Sequence, residues 1–466
     1  MLLIRHSENY LNERKYIFSV ILKEFLGLDY QTEVWDKPYL QITINDTKQA
    51  LVLNDFLFQT PIDNWLTTRS LPLQPLRWWK IPKLLMNAPL ISNRLPILYG
   101  EPIDKNSNNN FLDFDDNNAF LSIDIFGSAF FMLTRYEEFV IAERDQHDRF
   151  PSKASLAVQE NFLERPIINE YIEILWTILK KLWPGLARKI QLYHIHLTHD
   201  VDVPLWISRK KFPHLLRSLV TDLGLRYDLS LCWRRLQAYR EARQGVFDND
   251  PNNSFDFIMN TSEQYGWQNA FYFMYGGSSN FDNQYDPEHP WIVNLYHEVH
   301  QRGHEIGFHP SYGTYLDSDK TKQEFQRLLE VMEKAKIQQD SWGGRQHYFR
   351  WQNPTTWQNW ADAGLNYDST LCFADAPGFR CGVCYEYSIF NLKSRQHLKL
   401  RERPLIIMEH SLNSFLQMSF NNIAHKIFIL NKVCRQFNGS MAILWHNDSL
   451  ISQSQRNIYS IICQNL

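Results

Sequence analysis

Long apolar runs are missing from this 466-residue sequence, and so is any strong excess of one charge. Its most apolar stretches, such as PLIIM at 404 to 408, fall far short of the roughly 18 residues that a membrane span requires, so no span is expected. The opening MLLIRHSENYLNERKY sets Arg5, His6 and Glu8 directly after the first apolar residues, where a secretion leader needs a continuous apolar core. The expected setting is soluble and cytoplasmic. Lysine and arginine number 48 against 51 acids, a net charge of −3, which gives no general reason to expect nucleic acid or an anionic membrane as the main partner. Any basic site has to be local. Cysteine is scarce too: six are scattered at 232, 372, 381, 384, 434 and 463, which suits a reducing compartment. The close pair Cys381 and Cys384 has no second pair to complete a structural zinc site, and packed thiols are the better reading.

What the sequence does have is core-forming material, with 44% hydrophobic and 14% aromatic residues in a chain too long for one ordinary domain. Residues 1–190 mix strand and helix signals without a repeat and read as a separate α/β domain of undisclosed role. Within them, DKNSNNNFLDFDDNN (104 to 118) reads as a polar surface loop. IDIFGSAFFMLTRYEEF then reads as a buried helix, and Arg135, Glu137 and Glu138 are expected on its solvated face.

From residue 191 to 466 the pattern becomes regular. Strand signals at LYHIHLTHD, NAFYFM, EIGFH, HYFRW, NYDSTL and MAILW alternate with helical stretches, among them 211 to 245, and two of the helices stop at Gly303 and Gly364. This alternation implies a parallel sheet, open or closed into a barrel, whose functional residues sit at the carboxyl ends of the strands. Those ends carry Asp200, Asp202, His309, Arg350, Asp368 and His446. Asp200 and Asp202 stand two apart in LTHDVDVP and point to one side of a strand, so their charges need a cation, a proton or an arginine between them. Carboxylates with imidazoles are the usual ligands of a divalent metal.

The ordered motifs THDVD, GHEIGFHPSY, YFRWQNP, NYDSTL and ILWHN resemble the polysaccharide deacetylase superfamily of the carbohydrate esterase family 4 type, over residues 190 to about 450. GFRCG (378 to 382) is similar to a branch with an additional N-terminal domain. The resemblance implies a distorted (β/α) barrel and a metal-dependent hydrolase that removes an acetyl group from an N-acetylated sugar, in the metabolism of surface polysaccharide. It assigns Asp200 as general base, Asp202 and His309 as metal ligands, Arg350 as the arginine holding the catalytic aspartate, and His446 as the proton donor to the leaving group. Zinc is the expected metal, with cobalt or nickel as alternatives. Acetylated carbohydrate is the expected partner, met by Tyr312, Trp351 and Asp368. Tyr315, Trp357 and Trp360 are aromatic neighbours, the last two spaced for helix packing.

One position departs from the pattern. The second metal histidine should stand four residues after His309, where this chain has Gly313. His347 on a neighbouring predicted strand, or His304, is left as the possible third ligand, although His304 would face away from His309 in an extended strand. The same glycine supports a second reading, a non-catalytic carbohydrate-binding protein that has lost its metal. A haloacid-dehalogenase-type phosphotransferase, which DVDV also fits, lacks a placed lysine and acid pair, and a glycosyltransferase leaves His309 and His446 without a role.

Overall fold

The computed structural model describes residues 1–104, 110–115, 117–207, 212–226, 229–283 and 285–466. Its first 121 residues supply eight strands: β1 (Leu2–His6), β2 (Tyr30–Val34), β3 (Tyr39–Ile44), β4 (Ala50–Asn54), β5 (Arg77–Lys80), β6 (Arg94–Ile97), β7 (Leu112–Phe114) and β8 (Asn118–Leu121). Six of them form a mixed sheet in the order β2-β1-β3-β4-β8-β7, while β5 and β6 make a separate hairpin. Alternation decides which face is covered: in β1, Leu2, Ile4 and His6 are buried while Leu3 and Arg5 stay half-exposed. The polar segment at 104 to 118 contains β7 and so is only partly loop; its residues 105–109 and 116 lie outside the described residues.

A second sheet takes all its strands from residue 194 onward: β9 (His194–Val201), β10 (Asn269–Phe273), β11 (Glu305–Phe308), β12 (Gly343–Gly344), β13 (Tyr367–Asp368), β14 (Tyr387–Asn391), β15 (Gln396–Glu402), β16 (Ile407–Met408) and β17 (Ser440–Leu444). Their order is β14-β15-β13-β12-β11-β10-β9-β17-β16, and every pair is parallel except β14 with β15. As hydrogen-bonded, this ladder has two ends, so among the described residues the sheet is open and not a closed ring. The interior strand β10 is buried along its whole length, as a parallel strand with both faces covered must be. Gly303 and Gly364 do end helices, at φ of 78° and 94°, a region a side chain would strain. Among the described residues, no helix is long and apolar enough to cross a membrane.

The two sheets share one continuous hydrophobic core. Tyr16 donates to the Ser388 carbonyl at 2.8 Å, and Glu13 pairs with Arg395 at 2.7 Å. Arg135, Glu137 and Glu138 are buried here, contrary to the solvated helix face expected of them. Arg135 pairs with both acids and donates to the Arg380 carbonyl, and Arg380 pairs with Glu138 at 2.6 Å. Burial alone would raise the Glu138 carboxyl, but Arg380 and Arg135 hold it below its ordinary range. Removing one partner of such a network leaves the others charged and dry. Glu138→Ala is therefore expected to cost about 3–5 kcal/mol, read as a lower urea midpoint of unfolding.

Candidate metal centre

In a parallel sheet the carboxyl ends of the strands share one edge, and the polar residues gather there. Asp202 follows β9, His309 follows β11, and His347 lies three residues past β12. Asp202 Oδ1 is 3.1 Å from His309 Nε2 and 3.5 Å from His347 Nε2, and one donor atom from each residue falls within 4.8 Å of the other two. Both imidazoles are oriented from behind. His309 Nδ1 donates to the Arg345 carbonyl at 2.7 Å, and His347 Nδ1 meets Asp282 Oδ1 at 3.3 Å, so each Nε2 is turned inward. Asp282 is itself fixed by the backbone N–H of Tyr312 and by Ser279.

The donor set fits a divalent cation. Asp202 Oδ1 and His309 Nε2 are buried without a hydrogen-bond partner, since their 3.1 Å contact lacks hydrogen-bond geometry. Buried polar atoms are rarely left so, and a carboxylate with two imidazoles backed by a carbonyl and a second carboxylate is a zinc-type ligand set. Burial would raise the Asp202 carboxyl, but His347 and His309 bring it far below the usual carboxylate range. It is a carboxylate at every physiological pH, the form a metal needs.

Gly313, at the position where a second histidine was expected, has no side chain to offer this cluster. A Cβ built on it would meet only Lys320 Nζ, at 3.8 Å. His347 occupies the place a third ligand needs. His304 turns elsewhere, its Nδ1 accepting from the Asn269 N–H and its Nε2 facing Glu263.

The arginine assignment needs correction. Asp200 Oδ1 accepts from Arg345 Nη1 at 2.8 Å, and Arg345 is fully buried, with further bonds to Thr198 Oγ1, Ser369 Oγ and the Ser369 carbonyl. Arg350 instead pairs with Asp148 at 2.8 Å, donates to the carbonyls of Tyr312 and His147, and lies over the rings of Tyr312 and Tyr315 at 3.9 Å. The cause is local. The strand here is Gly343–Gly344, whereas HYF, read as the strand, is a 3₁₀ turn with positive φ at Tyr348 and Phe349. Glycine is required because a Cβ on Gly344 would lie 1.8 Å from the Phe308 carbonyl oxygen.

His446 follows β17 and faces Asp202 from the other side, its Nε2 3.9 Å from Asp202 Oδ2. Its Nδ1 is held at 2.7 Å by Glu409 Oε1, an acid the sequence reading missed although it follows the short apolar strand β16. Burial would lower the His446 imidazolium, but the charge of Glu409 outweighs it and lifts the group to about 10. Glu409 is pulled down to about 2 by His446 and His410, against the effect of burial. Glu409, His410 and His446 also bring three donor atoms within 4.8 Å of one another, but the short Glu409–His446 bond marks a proton-holding pair.

Of the residues expected to meet substrate, only Tyr312 lies beside the cluster. Its ring stacks on Phe281 with centroids 4.4 Å apart and meets Tyr348, whose ring is 4.7 Å from His347. Trp351 is buried against Trp357, and Asp368 is fully buried with its Oδ1 accepting from Thr370. Burial lifts the Asp368 carboxyl to about 7, and burial together with the charge of Asp368 raises Glu402 well above its ordinary range. Both Trp351 and Asp368 therefore belong to the core under the site. The first half of the chain reaches the site directly: His147 Nδ1 meets the Tyr312 hydroxyl at 3.0 Å, and Arg149 donates to the Tyr348 carbonyl at 3.1 Å. Cys381 and Cys384 are free, buried thiols.

Residues 2–184 match the model of DUF7033, a family of unknown function. No curated protein matches the chain. Among solved structures, the chain is similar to one described as a polysaccharide deacetylase from Mycobacterium smegmatis, at 15% identity and a TM-score of 0.37, covering 59% of this chain and 84% of that one. It is also similar to Puue allantoinase, at 9% identity and a TM-score of 0.34, covering 59% of this chain and 83% of the other.

Proposed function

We propose that the chain is a divalent-metal hydrolase that removes an acetyl group from an N-acetylated sugar. The observation that carries this reading is the division of labour at the sheet edge. Asp202, His309 and His347 turn free donor atoms to one point, while Asp200 and His446, each held by its own counter-charge, are left for proton transfer. A cation held by the three donors would supply Lewis acidity, lowering the pKa of a coordinated water toward roughly 7 and polarising the acetyl carbonyl. Asp200, oriented by Arg345, accepts the proton of the attacking water. His446, kept charged by Glu409, gives its proton to the departing amine.

The N-acetyl sugar class, the barrel-type relationship, zinc over cobalt or nickel, and a role in surface polysaccharide metabolism rest on the motifs of the sequence. The aromatic wall of Tyr312, Tyr348 and Phe281 is suited to the face of a sugar ring. The second reading, a sugar-binding protein without a metal, loses its main support because His347 supplies the donor that Gly313 cannot.

Acetate release from N-acetylated mono- and oligosaccharides by the zinc-, cobalt- or nickel-loaded chain tests the proposal. His446→Ala should lower that rate by about 10²- to 10⁴-fold with the metal retained. No release from any acetylated sugar with any of the three ions would sink it.

A further inference from the structure

The excursion between β9 and β10 carries a feature that the hydrolase reading leaves unused. Helices Phe212–Thr221 and Leu229–Glu241 follow the strand that ends beside Asp202, and Arg234 of the second donates to the Ile451 carbonyl at 2.9 Å, five residues past His446. The pair therefore sits at the same edge of the sheet as the candidate site. It has an ordinary inner face: Leu215, Leu231, Cys232 and Ala238 are buried, and buried Arg235 pairs with buried Asp222 at 3.0 Å.

It also has a second apolar stripe on the outside. Leu216 and Val220 stand at i and i+4 on the first helix, Leu223 follows in the π-helical turn Asp222–Arg226, and Leu229 and Trp233 stand at i and i+4 on the second, all between 48% and 73% exposed. A surface helix of a soluble protein normally needs one apolar stripe, and large exposed apolar side chains gathered on one element mark an interaction surface. The segment is rich in positive charge. From Leu205 to Val246 the sequence carries nine lysines and arginines against three acids, in a chain of net charge −3. Arg217 and Arg240 are exposed on the same pair of helices, and Arg243 is exposed in the 3₁₀ turn that follows the second.

We propose that this helix pair docks on the surface of an anionic lipid bilayer, with the apolar stripe in the headgroup boundary and the arginines on lipid phosphates. Basic residues alone would equally suit a polyanion, and apolar residues alone a second protein. Leucine, valine and tryptophan flanked by arginine at helical spacing is the combination an interfacial helix uses. The active edge of the sheet would then face the membrane surface.

Co-sedimentation of the full chain with vesicles tests this. Binding to phosphatidylcholine vesicles containing about a third phosphatidylglycerol should exceed binding to pure phosphatidylcholine by at least about tenfold and weaken with added salt. Leu229→Ser with Trp233→Ser should abolish it, and Arg217→Gln with Arg240→Gln and Arg243→Gln should weaken it by at least about tenfold, with unchanged thermal midpoints in both. Equal binding to the two vesicle types, or unchanged binding by either variant, would overturn the proposal. So would a dimer in light scattering that the serine variant dissociates, which would assign the stripe to a second copy of the chain.

Discussion

Replacing His347 with alanine is expected to abolish metal binding as completely as replacing Asp202 or His309. The purified wild-type chain should hold about one ion by elemental analysis after loading with zinc, and each variant close to none. The expectation follows from the count of donors. Three side chains point free atoms at one place, and two ligands with water do not hold a zinc-type ion against dilution. Asp282→Asn should have a milder effect, lowering metal affinity by roughly 10- to 100-fold, because it leaves the His347 ring in place but removes the carboxylate that orients it. Gly313→His makes the sharpest contrast. With Asp202, His309 and His347 already offering three donors, a histidine added there should not raise the metal content of the otherwise wild-type chain. Retention of the ion by His347→Ala would mean that another residue completes the site.

That result bears on how much could be read from the residues alone. Asp200, Asp202, His309 and His446 are visible because each stands at the end of an apolar run long enough to look like a strand, and parallel strands bring their ends together. Glu409 was within reach of the same rule, but its strand is the two residues Ile407 and Met408, inside the apolar run PLIIM that was weighed only against the length of a membrane span. Arg345 was hidden for a different reason. Its strand is Gly343–Gly344, a pair that reads as a turn because glycine has low strand propensity, and the need for glycine comes from the neighbouring Phe308 backbone, far away in sequence. The apolar HYF drew the strand assignment instead and took the arginine with it, from 345 to 350. Trp351 and Asp368 went astray because a residue type suited to sugar contact is equally suited to a core, and only three-dimensional placement separates the two. The part played by residues 1–190 was invisible for the same reason, since the meeting of His147 with Tyr312 joins positions 165 residues apart.

The displaced arginine leads to the second large effect. Arg345→Met should reduce hydrolysis by on the order of 10³-fold, while Arg350→Met should leave the chemical step nearly intact and act mainly through KM. Arg345 makes the only ion pair that Asp200 has among the described residues, in a setting where both side chains are almost fully shielded from water. Without the guanidinium, Asp200 loses its one direct ion pair among the described residues and the donor that fixes its orientation, and a misoriented carboxylate no longer serves as the base. The same loss should destabilise the fold by about 3–5 kcal/mol, so the rate is to be compared at a temperature where circular dichroism shows the variant folded. Arg345→Lys separates charge from geometry. It keeps a cation but not the fork that also reaches Thr198 and Ser369, and should recover stability better than rate. Arg350 touches neither Asp200 nor the three metal donors. It ties Tyr312 and Tyr315 to Asp148 and the His147 carbonyl, so its loss loosens the aromatic wall and weakens substrate binding before it disturbs proton transfer. If the two variants exchanged these effects, the base would be held from 350 after all, and the Gly343–Gly344 strand would have to end in a different register.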